Sequence, residues 1–252
     1  MTQKNLSQDS LWENIKALFF AIVLAVLIRT FLLQPFHIPS GSMIPTLLIG
    51  DNLFVAKTTF GYSRYSIPFG GYIPYFSGRV WDAPPKCGDI AVFRPVVDPN
   101  TDYIKRVVGL PGDRIQMKDG LLYINDVQCP VEPDGEMETV NDDNSILKAP
   151  QYIETLPNGR KHLIIKQVPF GTGTYDNTPI YHVPEGHYFM VGDNRDGSND
   201  SRAQGVVGYI PYENLIGPPS FIFFSTGGHI ALWEIWKWPL SAIYSRIGKG
   251  VH

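Results

Sequence analysis

The sequence predicts a mainly β protein carried on one N-terminal transmembrane helix. Three observations lead there. Gly and Pro number 24 and 21 in 252 residues, too many for a helical bundle. Beyond residue 33, apolar residues fall in short runs bounded by turn signals. Close to the N-terminus lies a single long apolar run. A hydrophobic content of 44% against 18% charged residues excludes a disordered chain.

The anchor comes first. Ala17 to Ile28 are twelve consecutive apolar residues, succeeded by Arg29, Thr30 and Phe31 to Leu33. Counted from Ile15 to Leu33 the run has 19 residues, about 28 Å of helix, provided Lys16 and Arg29 extend toward the head groups. A cleavable signal needs small residues just after the apolar run, whereas Gln34-Pro35-Phe36-His37 stands there, so the anchor is expected to be retained. Lys4 and Lys16 precede or open the span, and residues 30–56 contain no Lys or Arg. This places a tail of residues 1–14 in the cytoplasm and residues 34–252 outside.

Strand candidates come next along the chain. Gly88–Arg94 and Tyr103–Val108 are separated by a Pro-Asn loop. Arg114–Lys118 and Leu121–Asn125 flank Asp119-Gly120, a two-residue hairpin signal. Leu163–Val168, His187–Val191 and Val206–Ile210 complete the set. Residues 58–86 read as an aromatic-rich loop, and the acidic residues 130–160 as a surface insertion. For the aromatic loop and the C-terminal segments Phe221–Phe224 and Leu232–Trp238, two readings stand open: rest at the bilayer interface, or core of the β domain.

Net charge is −3 and no basic run tracks aromatic residues, so nucleic acid is not an expected partner. Cys87 and Cys129 lack zinc-site spacing, and no metal or cofactor is expected; whether they pair as a disulfide stays open. Ser42, in Pro39-Ser40-Gly41-Ser42-Met43-Ile44-Pro45, comes directly after the anchor, in a setting where serine is ordinarily a turn residue. No Gly-x-Ser-x-Gly elbow is present, and none of the six histidines sits in a triad context. Lysine is the alternative base. On a strand at 103–108, Lys105 shares a face with Tyr103 and Val107; burial there lowers its pKa, whereas an edge strand lets it reach water. The polar loop Gly192–Arg202 lacks a calcium-loop pattern and reads as a rigid, ion-paired loop.

PFHIPSGSMIPTL (35–47), GDIAVFR (88–94), YIKRVVGLPGD (103–113) and GDNRDGSNDSR (192–202), in this order after an anchor, resemble the bacterial type I signal peptidases. The resemblance covers most of residues 29–125 and 185–216. It implies a mostly antiparallel β catalytic domain with a smaller inserted β region, here at 130–184. It also implies a Ser/Lys dyad in which Ser42 is the nucleophile and Lys105 the general base. The Ser42 amide and Ser40 hydroxyl would form the oxyanion hole, and Ser198 would orient the lysine. Asp200 and Arg202 would pair to hold the loop, with Arg106, Asp193 and Arg195 as structural supports. The reaction implied is removal of signal peptides from exported preproteins through an acyl-enzyme, cutting after small residues of A-x-A type. The setting implied is the cytoplasmic (inner) membrane, with the lipid bilayer as second partner and the catalytic domain on the periplasmic side. Ile38, Pro39 and Met43 are candidates for the pocket lining or for plain packing. Gly197 stands where the family commonly carries Asn, which suggests a looser loop beside Ser198. Two alternatives are another Ser/Lys peptidase and a tethered β module that only binds peptides.

Overall fold

The computed structural model describes residues 3–66, 78–81, 83–228, 230, 234 and 236–251, with backbone only for 3–10. Helix α1 (Gln3–Phe31) begins well inside the expected tail and ends two residues before the expected end of the span. Its segment Leu11–Phe31, 21 residues of mean hydropathy 2.0, is long and apolar enough to cross a membrane, and none of it is buried against protein. An apolar helix with no packed face needs an apolar solvent. Its last carbonyls are tied to the β domain: Lys57 Nζ donates to Arg29 O at 3.0 Å, and Tyr62 Oη donates to Phe31 O. Those carbonyls have no partner within the helix, so the bonds cap it and fasten it to the β domain.

Leu33, expected to end the span, opens β1 (Leu33–His37), which pairs with β2 (Asp51–Ala56); neither strand was expected. Both lack a clean two-residue alternation, because β1 carries Pro35 and β2 is largely buried on both faces. Then come β3 (Ile90–Phe93), β4 (Tyr103–Gly109), β5 (Arg114–Lys118), β6 (Leu121–Ile124) and β7 (Val127–Gln128). The β5–β6 hairpin turns through Asp119 and Gly120, at φ +48° and +80°, as its Asp-Gly signal requires. The acidic stretch is regular structure: β8 (Val131–Val140) and β9 (Ile146–Thr155) form a long hairpin, extended by β10 (Lys161–Ile165). β8 is mostly exposed, which is why polar residues fill it. The inserted sheet thus ends at Ile165 rather than 184, since β11 (Tyr181–His182) returns to pair with β5.

β12 (His187–Val191) is as expected, whereas the strand expected at 206–210 is reduced to β13 (Ile210–Pro211). Val206 and Val207 instead donate their amides to Ala203 O in a turn flanked by Gly205 and Gly208. Likewise β10 stops before Lys166, whose buried amine is held 2.6 Å from both Asp176 and Asp196. β14 (Leu215–Gly217) and β15 (Pro219–Ser225) come next, then the short α2 (Trp238–Ser241). Phe221–Phe224 therefore belongs to a strand paired with β2, with Ile222 in the core and Phe221 half-exposed. Residues 67–77 and 82 of the aromatic loop, and 231–233 and 235 of the Trp-rich segment, lie outside the described residues.

Among the described residues the strands make four sheets, ordered β1-β2-β15, β13-β12-β4-β3-β14, β11-β5-β6-β7 and β10-β9-β8, and every strand pairing is antiparallel. One core joins Ile38, Met43, Leu47, Leu53, Val55, Ile90, Val92, Ile216 and Ile222 between the first two sheets. Each such side chain contributes about 1.5–3 kcal/mol on burial. A second core packs Val108, Ile115, Met117, Leu122, Phe189 and Val191 between β4, β12 and the β5 sheet. A third joins Ile44 and Leu48 to Leu147, Ala149 and Ile165 of the inserted sheet. Cys87 and Cys129 are free thiols, held up by burial at about 11 and about 12.

Candidate active site

Three segments far apart in sequence meet beside β4: the tight 3-10 turn Gly41–Met43, β4 itself, and the loop 192–202. The turn is buried, and its apolar residues hold it there, Met43 and Ile44 each being fully enclosed. So short a turn offers its first amides no acceptor of its own, and the Gly41 N–H is taken instead by Asp142 Oδ1 at 2.7 Å. β4 is an inner strand between β3 and β12, and Lys105 lies directly opposite Ala91. An inner strand denies the amine the route to water that an edge strand offers.

Lys105 Nζ stands 2.6 Å from Ser42 Oγ and donates to Ile104 O at 2.9 Å. The residue is 4% exposed, and its ammonium lies 5.6 Å from the Tyr103 ring centre. Burial pulls the amine down to about 8 from 10.5, against the opposing pull of Asp200 and Asp193 and aided by Arg202. Ser40 Oγ is 3.4 Å from Ser42 Oγ, on the same side of the turn. A cleft of about 340 Å³ opens onto these groups, walled by Phe36, Ile38, Pro39, Tyr103 and Ile104. Met43, expected in that wall, is instead fully buried in the core with Leu47 and Leu53, because the turn directs it inward.

The supporting ion pairs are buried and specific. Arg106 grips Asp193 with two bonds of 2.9 and 2.8 Å and donates to Gly88 O, while Thr46 Oγ1 donates to Asp193 at 2.5 Å. Arg202 grips Asp200 in the same way, with two bonds of 2.8 Å, and also donates to Arg195 O. Arg195 pairs with Glu154 of β9, a partner the sequence did not reveal. Burial, the largest single influence, raises each carboxyl, but the charge of Arg106 on Asp193 and of Arg202 on Asp200, added to the hydrogen bonds each carboxylate accepts, keeps both below the ordinary range. Glu154 is held at about 2 against its own burial, by Arg195 and then His162.

Ser198 is buried next to the turn but is not among the groups that bond Lys105, so the expected orienting hydrogen bond is not formed. The Ile104 carbonyl is the second partner of the amine. Gly192 explains the crowding: a Cβ there would stand 2.2 Å from Ser198 Oγ and 2.6 Å from Ser42 O. Gly197 sits in a crowded part of the same loop. The space a side chain would take there is filled by Asn194 Nδ2 and Gln167 Nε2, at 2.5 and 2.9 Å from a Cβ position. Gln167 Nε2 also donates to Asn194 Oδ1 at 2.9 Å.

Two residues unassigned from sequence hold the turn. Asn194 donates its amide N–H to Ser42 O and its Nδ2 to Gly41 O, at 3.2 and 3.0 Å. Asp142, from the tip of the β8–β9 hairpin, accepts the Gly41 N–H at 2.7 Å. Asn194 lies inside a quoted motif, but Asp142 sits in an acidic stretch with no signal to single it out. Among the described residues, no group of three His, Cys, Asp or Glu side chains is placed to hold a metal ion.

The family model described as signal peptidase, peptidase S26, matches residues 11–224. Signal peptidase I of Rickettsia typhi is 45% identical over 219 residues, covering 85% of this chain and 80% of that protein. Signal peptidase I of Rickettsia canadensis is 43% identical over 237 residues, covering 92% of this chain and 84% of that protein. A crystal structure of a signal peptidase I from Enterococcus faecalis is 25% identical and covers 54% of this chain and 96% of that one, at a TM-score of 0.31. A family match across most of the chain, with close relatives spanning nearly all of it, shows that this protein belongs to the signal peptidase family, peptidase S26, and is an enzyme of that family.

Proposed function

We propose that this enzyme removes signal peptides from exported preproteins with Ser42 as nucleophile and Lys105 as general base. The observation that carries the reading is the 2.6 Å approach of Nζ to Oγ at an amine that burial keeps at about 8. An ordinary lysine is neutral in about one molecule in 2,500 at pH 7, and one titrating near 8 in about one in ten. The neutral amine accepts the Ser42 proton as Oγ attacks the scissile carbonyl carbon. The ammonium then passes that proton to the departing nitrogen, so the C–N bond breaks and an ester to Ser42 remains. A water molecule, deprotonated by the same amine, attacks the ester and releases the signal peptide, returning the proton to Oγ.

The Ser42 N–H and the Ser40 hydroxyl are the oxyanion donors in this reading, supported by the placement of Ser40 Oγ 3.4 Å from Ser42 Oγ. Asp193 with Arg106, Asp200 with Arg202, and Arg195 with Glu154 serve as the scaffold of the dyad. The substrate enters extended, as an added strand, and the cleft beside Ile38 and Pro39 accepts small side chains before the cut. The anchor holds the site at the bilayer surface where a signal's apolar segment ends. The excess of Lys on its N-terminal side supports a cytoplasmic N-terminus and an extracytoplasmic catalytic domain in the inner membrane.

Cleavage of a preprotein by Ser42→Ala and Lys105→Arg tests the dyad. Both are expected to lose at least about a thousandfold in kcat, since arginine holds its proton at any working pH. Turnover unchanged in either variant would reject the dyad. Peptide capture without turnover in the unmutated protein would favour a binding module instead.

A further inference from the structure

The turn that presents Ser42 is secured from two sides. The loop 192–202 supplies Asn194, whose N–H and Nδ2 hold the carbonyls of Ser42 and Gly41. The remaining tie, on the Gly41 N–H, comes from the inserted sheet. There the β8–β9 hairpin reaches over the cleft, and Asp142 Oδ1 accepts that proton at 2.7 Å. The tip is ordered by its own bonds. Asp142 N donates to Asn141 Oδ1 at 2.9 Å, Asn141 N to Ser145 O at 2.8 Å, and Ser145 N to Asp143 Oδ1 at 2.9 Å. Below the tip, Leu147 and Ala149 of β9 pack on Ile44 and Leu48, the residues just after the turn. The hairpin is therefore docked on the catalytic turn by an apolar contact and a charge-assisted hydrogen bond together.

We propose that Asp142 is a positioning residue: its carboxylate holds the Gly41 amide and thereby fixes the turn that presents Ser42 to Lys105 and to the substrate. The inference rests on the Ser42/Lys105 reading. Small displacements of a nucleophile cost rate far more than they cost binding, so the tie acts on kcat. The charge has a second effect. Asp142 lines the cleft, and with Asp193 and Asp200 it favours the ammonium form of Lys105, while Arg202 opposes them.

The test is steady-state cleavage of a preprotein by the detergent-solubilised full chain, with Asp142→Ala and Asp142→Asn compared across pH. Asn keeps an acceptor for the Gly41 N–H and removes the charge. Asp142→Ala is expected to lower kcat about tenfold with KM within about twofold. Asp142→Asn is expected to restore kcat to within about threefold of the parent. In both variants the acid limb of the kcat/KM profile moves to lower pH, since the neutral amine gains population. Thermal unfolding of both variants shows whether any loss is merely structural. The proposal is overturned by an Asp142→Ala kcat equal to the parent's, by a kcat loss that Asn does not restore, or by a change confined to KM or to stability. If Ser42→Ala still turns over, the dyad reading has failed; if only the Asp142 variants behave like the parent, this inference alone has.

Discussion

Replacing Lys105 with methionine is expected to stabilise the protein while abolishing turnover. Lys105 is 4% exposed and its amine sits at about 8 rather than 10.5. A difference of that size corresponds to about 3 kcal/mol of folding free energy, lost whenever the lysine is charged in both states. Proton counts set the sign. Below about 8 the folded and unfolded chains both hold the proton, so the cost is fully present; between about 8 and 10.5 only the unfolded chain holds it, and stability rises with pH. Above that window neither does, and the cost is gone. Methionine fills a similar volume without a charge, but it gives up the bonds to Ser42 Oγ and Ile104 O, together worth about 1–2 kcal/mol. The balance is a gain of about 1–2 kcal/mol at pH 7 that vanishes or reverses by about pH 10. Denaturant unfolding of the detergent-solubilised full chain at pH 7, 8.5 and 10 measures it. A variant less stable than the parent at pH 7, or a stability difference that stays flat across this range, would refute the claim that burial sets the lysine's basicity.

Three further outcomes are expected from the same geometry. On the proposed mechanism Ser40→Ala removes an oxyanion donor, and it is expected to lower kcat about 100- to 1,000-fold with KM little changed, as read from single-turnover cleavage. Gly192→Ala places a methyl group 2.6 Å from Ser42 O and 2.2 Å from Ser198 Oγ. The turn must shift, and kcat is expected to fall about 100-fold while circular dichroism stays native. Asp193→Asn leaves the buried Arg106 guanidinium without its counter-charge. The expected cost is about 3–5 kcal/mol, seen as a lower denaturant midpoint.

The sites of chemistry and the architecture were legible to different degrees. The anchor was readable because a mostly apolar run as long as Ile15 to Leu33 has one stable solvent. Alternation placed Lys105 on one face with Tyr103 and Val107, but it left burial and an edge strand's route to water both open; the inner position of β4 decided for burial. The β5–β6 hairpin was readable because Asp-Gly suits only a few turn types. The strands β1 and β2 were not, since pairing partners distant in sequence, rather than local pattern, hold Pro35 and the doubly buried β2 in place. Met43 was misplaced because its direction depends on how the turn rotates into the core.

By itself, then, the order of residues determined the class of fold, the long apolar helix and the chemical types present in the candidate site: a hydroxyl soon after that helix, an amine on an apolar face, a loop of paired charges. These depend on local periodicity and on short-range turn chemistry. Tertiary structure alone decided that Nζ lies 2.6 Å from Oγ across 63 residues of chain, that Ile104 O rather than Ser198 is the amine's second partner, and that Asp142 reaches Gly41 from 101 residues away. Contacts of that range are set by how whole sheets pack, and no local pattern encodes them.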